Sequence, residues 1–275
     1  MKNIDKKVVK DFGDEWGEFT HTELNDTAIK ESFNSYFEIF PKEYLNKKNE
    51  GFDMGCGSGR WARIIANKVK TLNCIDPSLK ALNVAKINLK NNKNINFFNA
   101  SVDDIVLKEN SQDFGYCLGV LHHIPNTISG IKSCQKILKP NAPMLIYLYY
   151  NFDNKPYWFK LIWLISNIFR KIISNLPFVI KKIISLIIAI IIYFPLAKIS
   201  KYLEKIGFNV SNFPLSAYKN KMFYEMKNDS LDRFGTKLEK RYTQKEIKGM
   251  LLECGFDNII FSKKIPFWTV LSYKK

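Results

Sequence analysis

The stretch Asp53-Met-Gly-Cys-Gly-Ser-Gly59 decides the fold of this chain, and it begins within a short strand-like run, Gly51–Met54. An acidic residue that closes a strand, followed by glycines at every second position and then a helix, is typical of a turn that binds a nucleotide-like cofactor. Glycine lets the backbone lie directly against a ligand. A dinucleotide site requires G-x-G-x-x-G, and a phosphate loop requires Lys and Ser or Thr after its last glycine. The chain has Arg60 and Trp61 there, so the spacing excludes both.

The loop resembles the first motif, D-x-G-x-G-x-G, of class I S-adenosylmethionine-dependent methyltransferases, and further motifs follow in the family's order over residues 1–150. Leu72–Asp76 resembles the second strand with its acid, and Ala100–Ile105 resembles the adenine-facing loop. Gly119–Ile124 resembles the fourth-strand motif of the small-molecule branch, and Leu138–Ala142 resembles the L-K-P-G-G turn. The resemblance implies that the chain uses S-adenosylmethionine and releases S-adenosylhomocysteine.

Short apolar runs alternate with helical runs after residue 50, which predicts a buried parallel sheet. The predicted strands are Gly51–Met54, Thr71–Ile75, Ile95–Phe98, Phe114–Leu118, Met144–Tyr149, Asn258–Ser262 and Phe267–Tyr273, and the predicted helices are Trp61–Val69, Leu79–Leu89 and one that Thr243-Gln-Lys-Glu246 opens as a capping box. The expected fold is α/β: a Rossmann-like, seven-stranded, mostly parallel sheet with an antiparallel last strand and a helical insertion after the fifth strand.

Four segments are predicted. They are an N-terminal helical cap (1–50), the cofactor-binding core (51–151), an apolar and basic helical insertion (152–235), and the last helix with the closing strand hairpin (236–275). The cap carries aromatic residues at helical spacing that end at Pro41, a helix stop. In the resembling family such helices often cover the cofactor, while packing onto the core is the simpler explanation.

Acidic and small residues fall at the predicted carboxyl ends of strands, where such sheets bind ligands. Asp76 is expected to accept both ribose hydroxyls, and Asp53 to orient the loop and hold the methionine amino group. Ser101 stands where the family has Asp, so the Val102 N–H is expected to contribute more to adenine binding, with Asp103 as an alternative acceptor. The other predicted cofactor-binding residues are Gly55, Cys56, Gly57, Gly59, Pro77 and Gly119.

Two histidines, His122 and His123, follow the predicted fourth strand, and histidine is the natural base at neutral pH. In resembling enzymes one such histidine contacts or deprotonates the acceptor, and His123 is preferred here. Both could instead be structural caps of the following turn. Arg233 is a third candidate, because a guanidinium can fork onto a carboxylate or phosphate of the substrate. It could equally pair with Asp229 or Asp232.

The insertion is both apolar and basic. Residues 1–150 contain 20 Lys and Arg against 17 Asp and Glu, whereas residues 151–275 contain 22 against 9. Ile183–Ala197 has no charge, is bounded by Lys182 and Lys198, and is interrupted by Pro195. It is shorter than the about 20 apolar residues that span a bilayer. Three interpretations stay open: a helical cover for the active site, an interfacial membrane element with basic flanks and tryptophans, and a transmembrane helix.

The sequence favours O-methylation of a small-molecule, sugar, quinone-like or lipid-linked acceptor. Residues near Tyr149–Asp153, Asp232–Gly235 and Glu239–Tyr242 resemble methyltransferases found with bacterial surface-polysaccharide genes. The net charge of +16 raises a nucleic-acid methyltransferase as an alternative, but the place of a base-holding Asp/Asn-Pro-Pro motif is taken by Leu121-His-His-Ile124. A membrane-docked protein that has lost catalysis is the other alternative.

Composition sets the expected compartment. The five cysteines are scattered without C-x-x-C spacing, which predicts a reduced interior and neither a disulfide nor a metal site. The N-terminus has no apolar segment, so no secretory signal is expected. We therefore expect a cytoplasmic protein, either free or peripheral at the inner face of the membrane.

Overall fold

The computed structural model describes residues 3–20, 26–104 and 106–275. The chain divides into two compact units, which are described separately below. The first unit comprises Met1–Asn151 and Leu238–Lys275, and the second comprises Phe152–Lys237. Ile105, which ends the predicted adenine-facing loop, lies outside the described residues.

The first unit is built on a seven-stranded sheet with the order β3-β2-β1-β4-β5-β7-β6. β7 runs antiparallel to both of its neighbours, and the other neighbouring strands pair in parallel. This confirms the predicted fold class. The strands are β1 Glu50–Met54, β2 Thr71–Asp76, β3 Ile95–Asn99, β4 Phe114–Leu118, β5 Pro143–Tyr147, β6 Phe256–Phe261 and β7 Thr269–Lys274.

The middle strands are buried because helices cover both faces of the sheet, as parallel sheets require. The helices of the first unit are α1 Lys6–Glu18, α2 Asp26–Tyr36, α3 Ala62–Ile65, α4 Leu79–Asn88, α5 Thr127–Ile137 and α10 Gln244–Glu253. The Asp5 side chain caps α1, and the predicted capping box of Thr243 and Glu246 opens α10. The register places Asp53 beside Cys74 and Tyr116 on the two strands that flank β1.

The prediction of a helix over Trp61–Val69 is wrong in length, since α-helix is confined to Ala62–Ile65. The chain that follows finds other hydrogen-bond partners. The Asn94 side-chain amide donates to the carbonyl oxygens of Ala66 and Val69, at 2.8 and 3.0 Å. These side-chain bonds satisfy carbonyls that a longer helix would leave open at its end.

The second unit is helical, with α6 Tyr157–Ile173, α7 Phe178–Ile188, α8 Phe194–Lys205 and α9 Phe223–Gly235. A π-helical turn, Ala189–Tyr193, joins α7 to α8 without a break. We expected Pro195 to interrupt this apolar segment, but the helix continues through it. The wider π turn precedes the proline and accommodates its missing N–H and bulky ring. The resulting helix, Phe178–Lys205, is long and apolar enough to cross a membrane by the criteria of length and composition.

Candidate functional site

The glycine loop leaves the carboxyl end of β1 and docks onto β2. The N–H groups of Gly55 and Cys56 both donate to the Ile75 carbonyl, at 2.7 and 3.1 Å. The three loop glycines have φ values of +80°, +54° and +78°. Gly57 also lies against the Trp16 ring, so that a Cβ at this position would come within 3.1 Å of the indole. Residue 57 therefore needs glycine for its φ and for the close approach of α1.

Asp76 ends β2 and faces this loop. Its Oδ2 accepts from the Gly57 N–H at 2.9 Å, and its Oδ1 accepts from the Ser78 N–H at 2.8 Å. Burial raises the pKa of Asp76 to about 6, although these two N–H donors act in the opposite direction. Each carboxylate oxygen keeps a second lone pair. Asp76 thus holds the loop in place and retains acceptor capacity for a ligand.

Asp53 is the least satisfied acid in this part of the molecule. It is 1% exposed, and its Oδ2 has no hydrogen-bond partner among the described residues. Burial raises the pKa of Asp53 to about 8; the Tyr116 hydroxyl lowers it and the Asp76 charge raises it further. A buried carboxyl with an unpaired oxygen is costly unless a ligand completes it.

Helix α1 lies along the carboxyl edge of the sheet. Besides the contact of Trp16 with Gly57, its Phe12 ring packs on His123 with 4.8 Å between the ring centroids. Just before the helix, the Asn3 side chain donates to the Asn126 carbonyl at 2.7 Å and accepts from the Asn126 N–H at 2.6 Å. Sequence analysis did not identify Asn3, because its partner Asn126 lies 123 residues away along the chain.

The loop after β3 is held by an acid that sequence reasoning missed. Asp104 Oδ2 accepts from both the Ser101 N–H and the Ser101 hydroxyl, at 2.7 and 2.9 Å. Asp103, the alternative acceptor suggested by the sequence, instead faces Ser133 at 3.3 Å. Asp104 lies three residues after Ser101, a spacing typical of local turns, and that spacing could have identified it.

The remaining predicted cofactor residues lie on the same edge. Val102 is 8% exposed and follows Ser101 directly. Pro77 connects Asp76 to the Ser78 cap of α4. Gly119, after β4, has φ of +82°, and a Cβ there would meet nothing within 4 Å. The backbone angle, rather than crowding, therefore favours glycine at residue 119.

The two histidines follow β4 in a short 3₁₀ turn, Leu121–His123, and both are buried. The ring of His122 is stacked on Tyr149 at 3.8 Å between centroids, and neither of its nitrogens has a hydrogen-bond partner among the described residues. Burial, with smaller contributions from His123 and Arg241, holds the pKa of His122 well below its usual range. His122 is therefore a neutral ring at pH 7.

His123 is held differently. Its Nδ1 lies 2.6 Å from the Leu238 carbonyl oxygen. A carbonyl can only accept, so Nδ1 carries the proton, and in the neutral ring Nε2 presents a lone pair. The structure thus gives the two neighbouring histidines different chemistry, which the sequence could not distinguish.

The segment that returns from the second unit braces this histidine turn. The Lys240 N–H donates to the His122 carbonyl at 3.1 Å, and the Tyr242 hydroxyl lies 2.8 Å from Thr127 Oγ1. Arg241 pairs with the buried carboxylate of Glu239 at 2.8 Å, and its guanidinium lies over the Tyr149 ring. Motif analysis cannot identify these contacts of Lys240 and Tyr242, because the residues that make them lie more than a hundred positions apart in the chain.

Arg233, the third predicted catalytic residue, belongs to the second unit. Its guanidinium donates to Ser166 Oγ at 3.2 Å and lies over the rings of Trp163 and Phe234, at 5.4 and 5.7 Å. These contacts all lie within that unit. Its assignment to catalysis stays a prediction.

The residues of the first unit fit S-adenosylmethionine on chemical grounds. The unpaired Asp53 oxygen suits the ammonium group of the methionine portion, and Asp76 retains lone pairs for ribose hydroxyls. The three positive-φ glycines bring main chain rather than side chains to the same edge. Both acids, with Ser101 and Gly119, lie where α/β sheets bind their ligands.

Comparison with known proteins agrees with this assignment. A family model described as "Methyltransferase domain" matches residues 52–146, which run from β1 to β5. Among curated relatives, the chain is 30% identical over 112 residues to the ubiquinone biosynthesis O-methyltransferase of Nitrosospira multiformis, covering 40% of this chain and 46% of that protein. It is 26% identical over 152 residues to the enzyme of the same name from Vibrio vulnificus, covering 51% and 61%.

The chain therefore spans about half the length of these curated relatives. Among solved structures, it is similar to one in the complex between the Trm112 methyltransferase activator of Haloferax volcanii and a methyltransferase. The TM-score is 0.52 at 11% identity, covering 95% of this chain and 96% of the other. At that identity the similarity establishes the fold alone.

Proposed function

We propose that this chain, which belongs to the class I S-adenosylmethionine-dependent methyltransferases through its domain at residues 52–146, methylates a hydroxyl group of a small, ring-bearing acceptor. The single observation that carries the hydroxyl assignment is the orientation of His123. A hydroxyl is a weak nucleophile and needs a base, whereas a neutral amine does not.

His123 meets the requirement for a base in its tautomer and its fixed position. The Leu238 carbonyl holds the proton on Nδ1, so Nε2 can take a proton from an acceptor hydroxyl. The Phe12 ring packs on the same imidazole and restrains its rotation. This is the arrangement in which a backbone acceptor orients a histidine base.

His122 serves as a wall in this proposal. It is neutral and fully buried, and it lies between His123 and Tyr149, with ring centroids 4.0 and 3.8 Å away. A histidine with so low a pKa is a poor base at pH 7. Its stacked ring instead continues an aromatic surface toward Tyr147, 6.4 Å away.

The cofactor-binding residues act mainly by positioning the cofactor rather than by reacting with it. When bound, S-adenosylmethionine provides a methyl group already activated by its sulfonium. Asp53 and Asp76 would hold the ammonium and ribose groups, the main chain of the loop from Gly55 to Gly59 would lie against the ligand, and Ser101 and Val102 would face the adenine. Gly119 would offer its carbonyl to the methionine portion. Alignment of this kind accounts for most of the acceleration in such a displacement.

The ring-bearing acceptor is proposed from the aromatic side chains at the ends of β4 and β5. Tyr147 and Tyr149 lie 5.9 Å apart between centroids, and Tyr36 contacts Tyr147 at 5.1 Å. Flat rings of this kind stack well on phenols and on the apolar faces of sugars. The named relatives act in ubiquinone biosynthesis, which supports a phenolic or lipid-linked acceptor over a sugar.

The test is turnover of the full chain with S-adenosylmethionine and a panel of catechols, phenols, sugars and amines. Turnover is measured as the release of S-adenosylhomocysteine. We expect hydroxyl acceptors to be methylated, with phenols preferred. His123→Ala should reduce kcat by about 10²–10⁴-fold and remove the acidic limb of the pH profile, without changing the Kd for S-adenosylmethionine.

His122→Phe is the matched control, because it keeps a ring against Tyr149 at the neighbouring residue. It should alter KM while keeping the acidic limb of the pH profile. Methylation of amines alone, or an unchanged pH profile in His123→Ala, would overturn the assignment of a hydroxyl acceptor and its base. Failure to bind S-adenosylmethionine in calorimetry would overturn the assignment of methyltransferase activity itself.

A further inference from the structure

The second unit exposes many large apolar side chains and buries several polar ones beside a small apolar core. Along the continuous helix Phe178–Lys205, six residues at intervals of three or four are almost fully buried: Lys181, Ser185, Ala189, Tyr193, Ala197 and Ser200. This stripe is polar or small apart from one tyrosine. A helix that packs in water buries its apolar stripe instead.

Part of the buried stripe is hydrogen-bonded inside the unit, whereas the hydroxyls of Ser185 and Ser200 have no hydrogen-bond partner among the described residues. Lys181 Nζ donates to the Gly235 carbonyl at 2.9 Å, and the Ser230 hydroxyl donates to the Ser185 carbonyl at 2.9 Å. Both partners belong to α9, which packs along α7 and the π turn. Small and polar residues between closely packed helices are characteristic of helices that meet lipid on their other side.

The opposite face of the same helix consists of large apolar side chains. Ile187 is 48% exposed, Ile191 66% and Ile199 46%. Helix α6 shows the same arrangement: Arg170 is buried and donates to the Thr236 carbonyl at 2.8 Å, while Ile168 is 62% exposed. Two long helices of one unit thus each present several large exposed apolar side chains, which indicates a docking site rather than scattered surface residues.

Charge complementarity identifies the occupant. Residues 152–237 contain 14 Lys and Arg against five Asp and Glu. Lys171 at the end of α6 and Lys198 and Lys201 on α8 are exposed beside the apolar stretches. Their long stems can lie along apolar surface while the ammonium groups reach outward. Apolar surface bordered by lysines fits an anionic phospholipid bilayer, whereas a protein partner would not require a surplus of one sign.

The geometry favours docking from one side over spanning. The charge-free part, Ile183–Ala197, has 15 residues, or about 22 Å of helix, against about 30 Å for the hydrocarbon core. Moreover, α9 lies along the inner face of this helix and carries half-buried charged residues, among them Glu225, Asp229 and Asp232. Those charges would be costly at the centre of a bilayer.

We propose that the second unit docks the protein on anionic membranes, with the outer faces of α6 and of the helix Phe178–Lys205 set into the headgroup boundary. This inference is independent of the proposed methyl transfer. It names a lipid-binding surface, and the surface consists of residues outside the candidate active site.

The experiment is flotation of the full chain with vesicles of phosphatidylglycerol and phosphatidylethanolamine, compared with vesicles of phosphatidylcholine. We expect the protein to float with the anionic vesicles. The double variant I187S/I191S should reduce vesicle binding about tenfold or more, since it removes two apolar side chains from the contact. K198E/K201E should reduce binding to anionic vesicles by a similar factor and make it less sensitive to salt.

The matched control is I87S/L252S, which removes two exposed apolar side chains from the first unit, 68% and 46% exposed. It should float like the unaltered protein, and the thermal midpoints of the three variants should match. Three results would overturn the proposal. The unaltered chain could remain unbound, the face variants could float normally, or I187S/I191S could change only the sedimentation coefficient, which would assign the face to a second copy of this chain.

Discussion

Both units bury ionisable side chains, but they do so in opposite ways. In the second unit, Lys181 is 1% exposed and bonds to the Gly235 carbonyl, and Arg170 reaches the carbonyls of Thr236 and Lys237. In the first unit, Asp53 is equally buried, yet one of its oxygens has no partner among the described residues. A buried ionisable group whose hydrogen bonds the fold completes has a structural role, whereas one that the fold leaves incomplete is a candidate to bind a ligand.

The sharpest way to break this comparison is to remove a satisfied charge. Lys181→Ala leaves the Gly235 carbonyl without its donor and a cavity beside α9, and should lower the free energy of unfolding by about 2–4 kcal/mol. Lys171→Ala, at an exposed residue of the same unit, should change it by less than about 0.5 kcal/mol. Thermal unfolding followed by circular dichroism measures both. Equal midpoints for the two variants would show that burial of Lys181 contributes little to stability.

A second prediction concerns Asp76, which combines both roles because it bonds to Gly57 and Ser78 and retains lone pairs. Asp76→Ala should weaken binding of S-adenosylmethionine about 100-fold, the equivalent of about 2.7 kcal/mol. Asp76→Asn keeps one carbonyl oxygen, so its loss should be nearer tenfold. Calorimetric titration gives the three affinities. If Asp76→Ala binds as tightly as the unaltered protein, Asp76 has only the structural role.

The sequence predicts which acids lie at the site, but not which of them the fold satisfies with hydrogen bonds. The succession of strands and helices, the glycine loop and the acids at Asp53 and Asp76 follow from local patterns, because apolar runs and turn residues are written in neighbouring positions. The clamp of Asp104 on Ser101 and the Leu238 carbonyl on His123 depend on backbone groups brought together by the fold.

The second unit shows the same limit from another direction. Composition identified Ile183–Ala197 as apolar and basic at its flanks. It did not reveal that Lys181, Ser185 and Ser200 face inward while isoleucines such as Ile187 and Ile191 face outward. Periodicity fixes which residues share a helix face, but only the position of α9 decides which face is covered.

The most specific prediction concerns the titration of Asp53. Its pKa is about 8 in the folded protein against 3.8 as the ordinary value. Between these values the folded state binds more protons than the unfolded state, so the free energy of unfolding falls as the pH rises from 4 to 8. Asp53→Asn should remove this slope and, unlike Lys181→Ala, should not destabilise the protein at pH 8.

Ligand binding should deprotonate Asp53. An ammonium group beside the unpaired oxygen lowers the pKa of the carboxyl, so that binding at pH 7 should release up to about one proton. Calorimetric titration with S-adenosylhomocysteine in buffers of different ionisation enthalpy measures that proton. Asp53→Asn should bind with no dependence on the buffer and with an affinity lowered about tenfold at pH 8. Identical buffer dependence in both proteins would place the ammonium group elsewhere, and Asp53 would then be a buried carboxyl that neither the fold nor the ligand satisfies.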